Sequence, residues 1–234
     1  MQEYDYKRVS ATGSMALQGF MTKVYMWMGF GLLMTAAVSY YAASSEQVIY
    51  FLFGRGMVPF LVLAAAEIGI VFYLSRKIAA LSPAAASSLF FVYSALNGLT
   101  IAPVLLVYTQ SSVASAFFST AGMFGAMSVY GTVTKRDLSG WGSFLMMGLI
   151  GLIIASVINM FFASERTSLV IAIMGVFIFT GLTAYDTYKI REMASGIAGN
   201  DETAGKFAVL GALTLYLDFI NMFLFIIRIF GKRR

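Results

Sequence analysis

Residues 207–227, FAVLGALTLYLDFINMFLFII, form a run of 21 residues that suits hydrocarbon everywhere except near its middle, where Asp218 stands. A helix of about 20 apolar residues crosses a bilayer. A charge at that depth costs at least about 2.5 kcal/mol on insertion scales. The run therefore predicts a transmembrane helix in which the carboxylate has a partner or a function.

The rest of the chain shares this apolar character. Of its 234 residues 59% are hydrophobic and 12% charged, and a soluble domain carries roughly twice that charge. We predict an all-α polytopic membrane protein, a seven-transmembrane-helix bundle forming a single domain over residues 1–234, because no alternating barrel pattern is visible. The segment at about 1–22 is polar and lacks an apolar core, so we predict no cleavable signal peptide there. The predicted spans are about 24–44, 57–75, 84–108, 112–134, 141–162, 168–188 and 206–228.

The chain contains no cysteine and no histidine. Disulfides, thiol chemistry, iron–sulfur ligation, HExxH zinc sites and Ser–His dyads are therefore excluded. Proton sensing in this chain must depend on carboxylates in unusual environments, since imidazole is absent. The net charge of +5 does not indicate nucleic acid, because basic residues usually mark the cytoplasmic side of a membrane protein.

Lysine and arginine counts predict the orientation. The N-terminal segment and the even-numbered loops hold ten basic residues, and the odd-numbered loops hold two. The N-terminus is therefore predicted to be cytoplasmic. The tail has four further cations, and the sequence leaves two alternatives open. Seven full crossings would place the tail outside, whereas a last segment that dips in and returns would place it inside. Those cations are Arg228, Lys232, Arg233 and Arg234.

Three acids lie inside predicted spans: Glu67, Asp186 and Asp218. Such groups are candidate functional sites by default, and the alternative is a hydrogen-bonded strut that locks two helices. If spans six and seven form a hairpin with its turn near residue 202, Asp186 and Asp218 would lie at the same depth in the membrane. Each is about 16 residues from that turn, or about 24 Å along a helix. The segment 199–205, GNDETAG, contains turn formers there. A pair so placed can share a proton, accept a basic partner or bind a hard cation.

Other polar residues are candidate partners for these acids. Arg76 is the nearest counter-charge by predicted depth and Lys77 is its competitor, although both also fit the role of ordinary flanking charges. Glu67 lies about half a span deeper in the membrane than Arg76. It is either a second ion-binding position on an ion path or a structural residue that is hydrogen-bonded to hydroxyl and amide groups. The polar candidates for that network are Tyr93, Asn97 and Asn221.

Two C-terminal segments resemble a known family. GLTAYDTY at 181–188 and GALTLYLDFINMFLFIIRIFG at 211–231 closely resemble the two signatures of the Bax inhibitor, or transmembrane Bax inhibitor motif, family. MFGAMSVYGTVTKRDLSGWG at 123–142 resembles its bacterial inner-membrane branch, and the likeness covers essentially the whole chain. It implies a multi-pass protein of the cell inner membrane in which six helices wrap the last one. It also implies a pH-dependent calcium leak controlled by two aspartates that match Asp186 and Asp218, which are expected to contact calcium.

The same resemblance implies a latch and a rival function. A basic residue on the second helix closes the leak in this family, and Arg76 matches it best, with Lys77 left open. The supporting polar network is expected to comprise Glu67, Asn97, Tyr185 and Asn221. Some bacterial relatives instead modulate a membrane-anchored AAA protease, so a non-conducting regulator of another membrane protein is the alternative. Nothing in the chain supports the cell-death role of eukaryotic relatives.

An intramembrane aspartyl protease is the remote alternative. Such enzymes resemble this chain only at Tyr185 and Asp186. Their second aspartate follows Gly-x-Gly, whereas Asp218 follows Leu-Tyr-Leu, and their Pro-Ala-Leu element does not occur here. We therefore predict no enzyme activity, no catalytic residue and no cofactor, with calcium as the permeating or bound ion. The predicted partners are the lipid bilayer, calcium, protons and a membrane protease or another membrane protein, but no nucleic acid.

Overall fold

The computed structural model describes residues 2–197 and 201–234, with side chains for residues 15–194, 196–197 and 201–234. Within this part of the chain, eight α-helices account for nearly all residues. A π-helix at Tyr50–Gly54 and a 3-10 turn at Ile78–Ala80 flank the third α-helix. The α-helices are α1 Gln2–Ser44, α2 Glu46–Ile49, α3 Val58–Lys77, α4 Pro83–Val107, α5 Gln110–Val133, α6 Ser139–Phe162, α7 Glu165–Ile197 and α8 Asp201–Phe230.

Seven of these helices are long and apolar enough to cross a membrane, namely α1 from Met15 onward and α3 to α8. This confirms the predicted all-α, seven-span membrane protein. The helix that contains the first predicted span, 24–44, is longer than the span and runs without a break from Gln2. No proline interrupts this segment, so the hydrogen-bonded ladder continues into its polar part. The start of the span near residue 24 stays a prediction.

Local chemistry sets several helix ends. Ser45 accepts a hydrogen bond from the backbone N–H of Val48 at the start of α2 (3.4 Å). Thr109 accepts one from the N–H of Ser112 at the start of α5 (3.3 Å). Both are N-cap bonds that satisfy donors lacking partners within the helix. Gly56, with φ of +87°, provides the left-handed backbone that separates the π-helix from α3.

The last helix is the most buried of the seven. In its membrane-spanning window 67% of residues are buried, compared with 44% in α7 and 11% in α3 and α6. Its fully buried side chains include Leu213, Leu215, Tyr216 and Met222. The structure therefore agrees with the expectation that the last helix lies inside the bundle.

The described helices form two compact units. The first comprises the chain up to Leu106 together with Ile190–Tyr216, and the second comprises Val107–Lys189 together with Leu217–Arg234. The boundaries at residues 189–190 and 216–217 fall inside α7 and α8, so both helices contribute to each unit. The single domain predicted over residues 1–234 stays a prediction.

The C-terminal residues 231–234, called the C-terminal strap below, pack on the connection between α4 and α5. The backbone N–H of Thr109 donates to the carbonyl of Lys232 (3.0 Å), and the N–H of Arg234 donates to the carbonyl of Val107 (2.9 Å). The N–H of Lys232 donates to Oγ of Ser112 (3.0 Å). These bonds fix the tail at the α4–α5 end of the second unit.

This geometry decides between the two alternatives for the last segment. The helix α8 is continuous over Asp201–Phe230 and does not turn back. Seven full crossings are therefore the correct alternative, and the tail cations share an end with the α4–α5 connection. The N-terminal segment and even-numbered loops keep their ten basic residues, whereas the opposite end now has six, because the four tail cations join the two of the odd-numbered loops. The membrane side of each end stays a prediction.

Candidate functional site

The helices α7 and α8 pack antiparallel in the register that the sequence predicted. In the first unit Gly211 faces Ile190, since a Cβ on Gly211 would lie 3.3 Å from the Cγ2 of Ile190. In the second unit the rings of Phe179 and Phe225 are 5.9 Å apart between centroids. For each pair, the midpoint in sequence between the two contacting residues falls between residues 200 and 202. The predicted hairpin register is therefore correct.

The turn itself was placed wrongly. Residues 201–205 were expected to lie in the turn, but they are the first residues of α8. Asp201 and Glu202 are acidic residues in that first turn, where carboxylates stabilise a helix by interacting with its positive end. Gly199 and Asn200, the other expected turn residues, lie outside the described residues.

The structure brings Asp186 and Asp218 together in the second unit. Their carboxyl groups adjoin, close enough for one to donate a hydrogen bond to the other when a proton is present. Asp218 is only 4% exposed, and Asp186 is half-buried. Asp186 also interacts electrostatically with Lys189 further along α7. Asp218 is thus the more deeply buried of the two carboxylates.

Close helix packing surrounds the pair. Gly142 of α6 lies against Tyr185, because a Cβ on Gly142 would lie 2.5 Å from the Tyr185 hydroxyl. Gly131 of α5 lies against Thr187, where an added Cβ would lie 2.9 Å from the Cβ of Thr187. The approach at Gly131 requires glycine, because an added Cβ would also clash with the backbone carbonyl of Ala184, whereas at Gly142 the ring of Tyr185 would have to move. The residues on either side of Asp186 are therefore held tightly against α5 and α6.

One oxygen of the pair has no hydrogen bond. Oδ2 of Asp218 is buried and without a hydrogen-bond partner among the described residues. A buried polar atom without a partner costs about 1–3 kcal/mol, so such atoms are rare in native proteins. A proton or a cation reaching this oxygen would satisfy it. Charged oxygen is the ligand type that calcium and other hard cations prefer.

The pair alone does not build a resident metal site. Within the described residues there is no group of three or more metal-ligating acidic side chains. Calcium takes six to eight oxygen ligands, so two aspartates supply only a fraction of a full shell.

Glu67 lies in a different place, in the first unit. The amide Nδ2 of Asn97 donates to its Oε2 (3.3 Å), and the hydroxyl of Thr100 donates to its Oε1 (3.1 Å). The hydroxyl of Tyr216 donates to Oδ1 of Asn97 (2.9 Å) and lies 2.6 Å from the hydroxyl of Thr35. This set of five side chains, called the Glu67 network below, connects α1, α3, α4 and α8.

The sequence predicted only part of the Glu67 network. Glu67 and Asn97 were expected and do meet, but Tyr216, Thr35 and Thr100 were missed. Hydroxyl residues in a membrane span usually bond to their own backbone, so they carry no clear signal. Tyr216 could have been found, because a buried tyrosine hydroxyl usually finds a hydrogen-bond partner.

The remaining predicted network residues have other contacts. Asn221 donates from Nδ2 to the carbonyl of Leu217 in its own helix (2.8 Å). Tyr185 has Lys189 over its ring, with Nζ 6.0 Å from the centroid. Tyr93 packs edge-on against Tyr216 at 5.7 Å between ring centroids. Glu67 and Asn97 belong to the first unit and Tyr185 and Asn221 to the second, so the network as a whole stays a prediction.

Arg76 and Lys77 occupy the last turn of α3, and both are exposed. The guanidinium of Arg76 lies 5.8 Å from the ring centroid of Phe72. Across the described part of the chain, neither residue forms an ion pair. Cations at a helix C-terminus interact favourably with its negative end. The choice between Arg76 and Lys77 as the latch therefore stays a prediction.

Comparison with known proteins adds the family context. A family model described as the inhibitor of apoptosis-promoting Bax1 matches residues 17–234. The chain is 50% identical over 220 residues to the inner membrane protein YbhL of Escherichia coli, covering 93% of each chain. It is 42% identical over 218 residues to the uncharacterized protein RP147 of Rickettsia prowazekii, covering 93% of this chain and 91% of the other. An uncharacterized protein of Borreliella burgdorferi is 42% identical over 215 residues, 92% of each chain.

Proposed function

Because the chain belongs to the Bax inhibitor family, we propose that it is a pH-sensitive calcium leak gated by Asp186 and Asp218. The name of the Escherichia coli relative places that protein in the inner membrane, and we extend this location to the present chain. The N-terminus is cytoplasmic in this proposal, as the basic residues of the even-numbered loops predict.

The contact between the carboxyl groups of Asp186 and Asp218 carries the proposal. Two adjoining carboxyl groups in a low-dielectric interior titrate as one coupled unit. They can share a proton, which removes one charge, or lose it and attract a cation. The buried Oδ2 of Asp218, which has no hydrogen-bond partner among the described residues, gives such a cation a free ligand atom.

Protons and calcium compete for the same oxygen atoms in this proposal. A proton bound between the two aspartates occupies ligand atoms that calcium would use, and calcium binding requires that the proton leave. The chain has no histidine, so another residue type cannot easily replace this carboxyl switch near neutral pH. The pair is thereby both the sensor and part of the ion path.

Arg76 is the proposed latch on the closed state. The family resemblance supports this role, and the residue has no competing ion pair within the described part of the chain. A cation that neutralises an ionised pair would hold the leak closed, because it occupies the position that calcium needs. Lys77 is the alternative latch on the same helix turn.

A non-conducting regulator of another membrane protein, such as a membrane-anchored AAA protease, is the second candidate. One feature of α5 favours it. A Cβ built on Gly122 or Gly125 would meet no atom within 4 Å, so this part of the helix surface is open. Small residues let a foreign transmembrane helix approach closely.

Calcium entry into liposomes across a range of pH tests the proposal. Purified wild-type protein should conduct calcium with a rate that depends on pH, and Asp186→Asn should lose most of that dependence. Asp137→Asn is the matched control, since the backbone N–H of Ser139 hydrogen-bonds Asp137 (2.8 Å) and holds the pKa of this exposed carboxyl below its usual value. Asp137 therefore stays ionised near neutral pH. Wild-type protein without calcium flux would favour the regulator instead.

A further inference from the structure

The backbone of the C-terminal strap is held by several hydrogen bonds. Both polar backbone groups of Lys232 are bonded, its N–H to Ser112 and its carbonyl to Thr109. Gly231 lies flat against the ring of Tyr108, since a Cβ on Gly231 would be 2.5 Å from the Cδ1 of that ring. The strap is therefore held in one place on the α4–α5 connection, and its side chains extend from a fixed backbone.

Those side chains form a concentrated basic patch. Arg228, Lys232, Arg233 and Arg234 are all exposed. Within the described residues none of them forms an ion pair. Glu165 and Arg166, at the start of the antiparallel helix α7, are an oppositely charged couple and add no net charge to this end. These four cations in seven residues thus form no ion pair in the described part of the chain.

Apolar surface adjoins the patch at the end of α8. Phe230 stands between Arg228 and Lys232 in the sequence and is 76% exposed. A cationic segment that directly follows a membrane-spanning helix lies at the level of the lipid headgroups and their phosphate groups. The C-terminal strap directly follows α8, which is long and apolar enough to span a membrane.

The helix dipole does not account for the whole patch. Arg228 lies in the last turn of α8, where a cation is stabilised by the negative end of the helix. The other three cations follow the end of the helix and lie in the strap. Repulsion among them disfavours their clustering unless an anion is bound nearby.

We infer that the C-terminal strap and Arg228 form a binding site for the headgroups of anionic phospholipids. Arginine binds phosphate oxygens in a bidentate fork and lysine binds them as a point charge. The strap fixes the backbone that bears three of the four cations before lipid arrives, so less ordering entropy is lost on binding. This site is separate from Asp186 and Asp218 and does not depend on the proposed calcium leak.

Lipid binding by the detergent-purified full chain tests the inference. Fluorescent phosphatidylglycerol is titrated onto the wild type, and phosphatidylcholine, phosphatidylglycerol and inorganic phosphate are used as competitors. The test variant is Arg233→Gln/Arg234→Gln, which leaves the backbone bonds of the strap intact. The matched control is Lys135→Gln/Arg136→Gln, which removes two cations from the α5–α6 connection of the same unit.

The strap variant should bind phosphatidylglycerol at least about tenfold more weakly, since each basic residue near an anionic surface contributes about fivefold. The control variant should stay within about twofold of the wild type, and only phosphatidylglycerol should compete. Equal weakening in both variants, or no weakening in the strap variant, would overturn the inference. Competition by inorganic phosphate at the same concentration would also overturn it, because the site would then bind free phosphate.

Discussion

Two carboxylate sites within the membrane-spanning helices differ in how completely they are hydrogen-bonded. Both oxygen atoms of Glu67 accept hydrogen bonds, one from Asn97 and one from Thr100. Asp218 is more deeply buried, yet its Oδ2 has no hydrogen-bond partner in the described chain. Its neighbour there is a second acid, Asp186, whose charge would repel it. The protein thus supplies hydrogen bonds to both oxygen atoms of Glu67 but leaves Oδ2 of Asp218 without one among the described residues.

This difference separates a structural carboxylate from a functional one. A buried polar group costs little when its hydrogen bonds are complete, so Glu67 can connect helices without any ligand. A pair of acids with an open oxygen is unfavourable unless protons or cations complete it. We therefore propose that the Glu67 network contributes stability and that the aspartate pair responds to ions.

The largest expected effect on stability comes from the centre of the Glu67 network. Tyr216 has no exposed surface, so Tyr216→Ala should lower the free energy of unfolding by about 3–5 kcal/mol. Tyr216→Phe, which removes only the hydroxyl, should lower it by about 1–3 kcal/mol. Thermal unfolding in detergent measures both variants. If Tyr216→Phe were as stable as the wild type, the hydrogen bonds to Asn97 and Thr35 would contribute nothing.

A smaller stability effect is expected at the carboxylate of the same network. Glu67→Gln can accept only one of the two hydrogen bonds from Asn97 and Thr100, so it should be less stable by about 1–3 kcal/mol. Its calcium flux in liposomes should keep the pH profile of the wild type. Loss of the pH response in this variant would remove the distinction between the two sites, because Glu67 would then be a sensor too.

The smallest expected effect concerns the latch. Arg76→Ala should raise the basal calcium flux several-fold at neutral pH while leaving stability within about 0.5 kcal/mol, since the side chain is exposed. Lys77→Ala is the matched control one residue away and should leave the flux unchanged. Equal flux in the wild type and Arg76→Ala would identify Arg76 as an ordinary flanking charge. A rise only in Lys77→Ala would transfer the latch to Lys77.

The two sites also differ in how well the sequence predicts them. Acids within apolar runs are visible from composition alone, and the hairpin register follows from helix geometry, so Asp186 and Asp218 could be paired in advance. The Glu67 network depends on Thr35 and Tyr216, which are far apart in the chain and meet only through tertiary packing. Hydroxyl residues are common in membrane helices and seldom indicate their partners.

Helix boundaries and the tail were the least predictable features. The early start of α1 and the helical state of residues 201–205 reflect a backbone that continues its hydrogen bonds beyond the apolar sequence. The position of the last segment depends on backbone bonds between the strap and the α4–α5 connection. Such bonds use groups that every residue has, so no side-chain pattern indicates them.

The pH profile of calcium flux through reconstituted Asp218→Asn protein tests the central claim most directly. Asparagine keeps the shape of the side chain and removes its titration, and the chain has no histidine to replace it. The variant should fold, insert and lose most of the pH dependence, whereas Asn221→Ala, one turn further along α8, should keep the wild-type profile. A folded Asp218→Asn protein with the wild-type pH profile would contradict the account and make Asp218 a structural residue like Glu67.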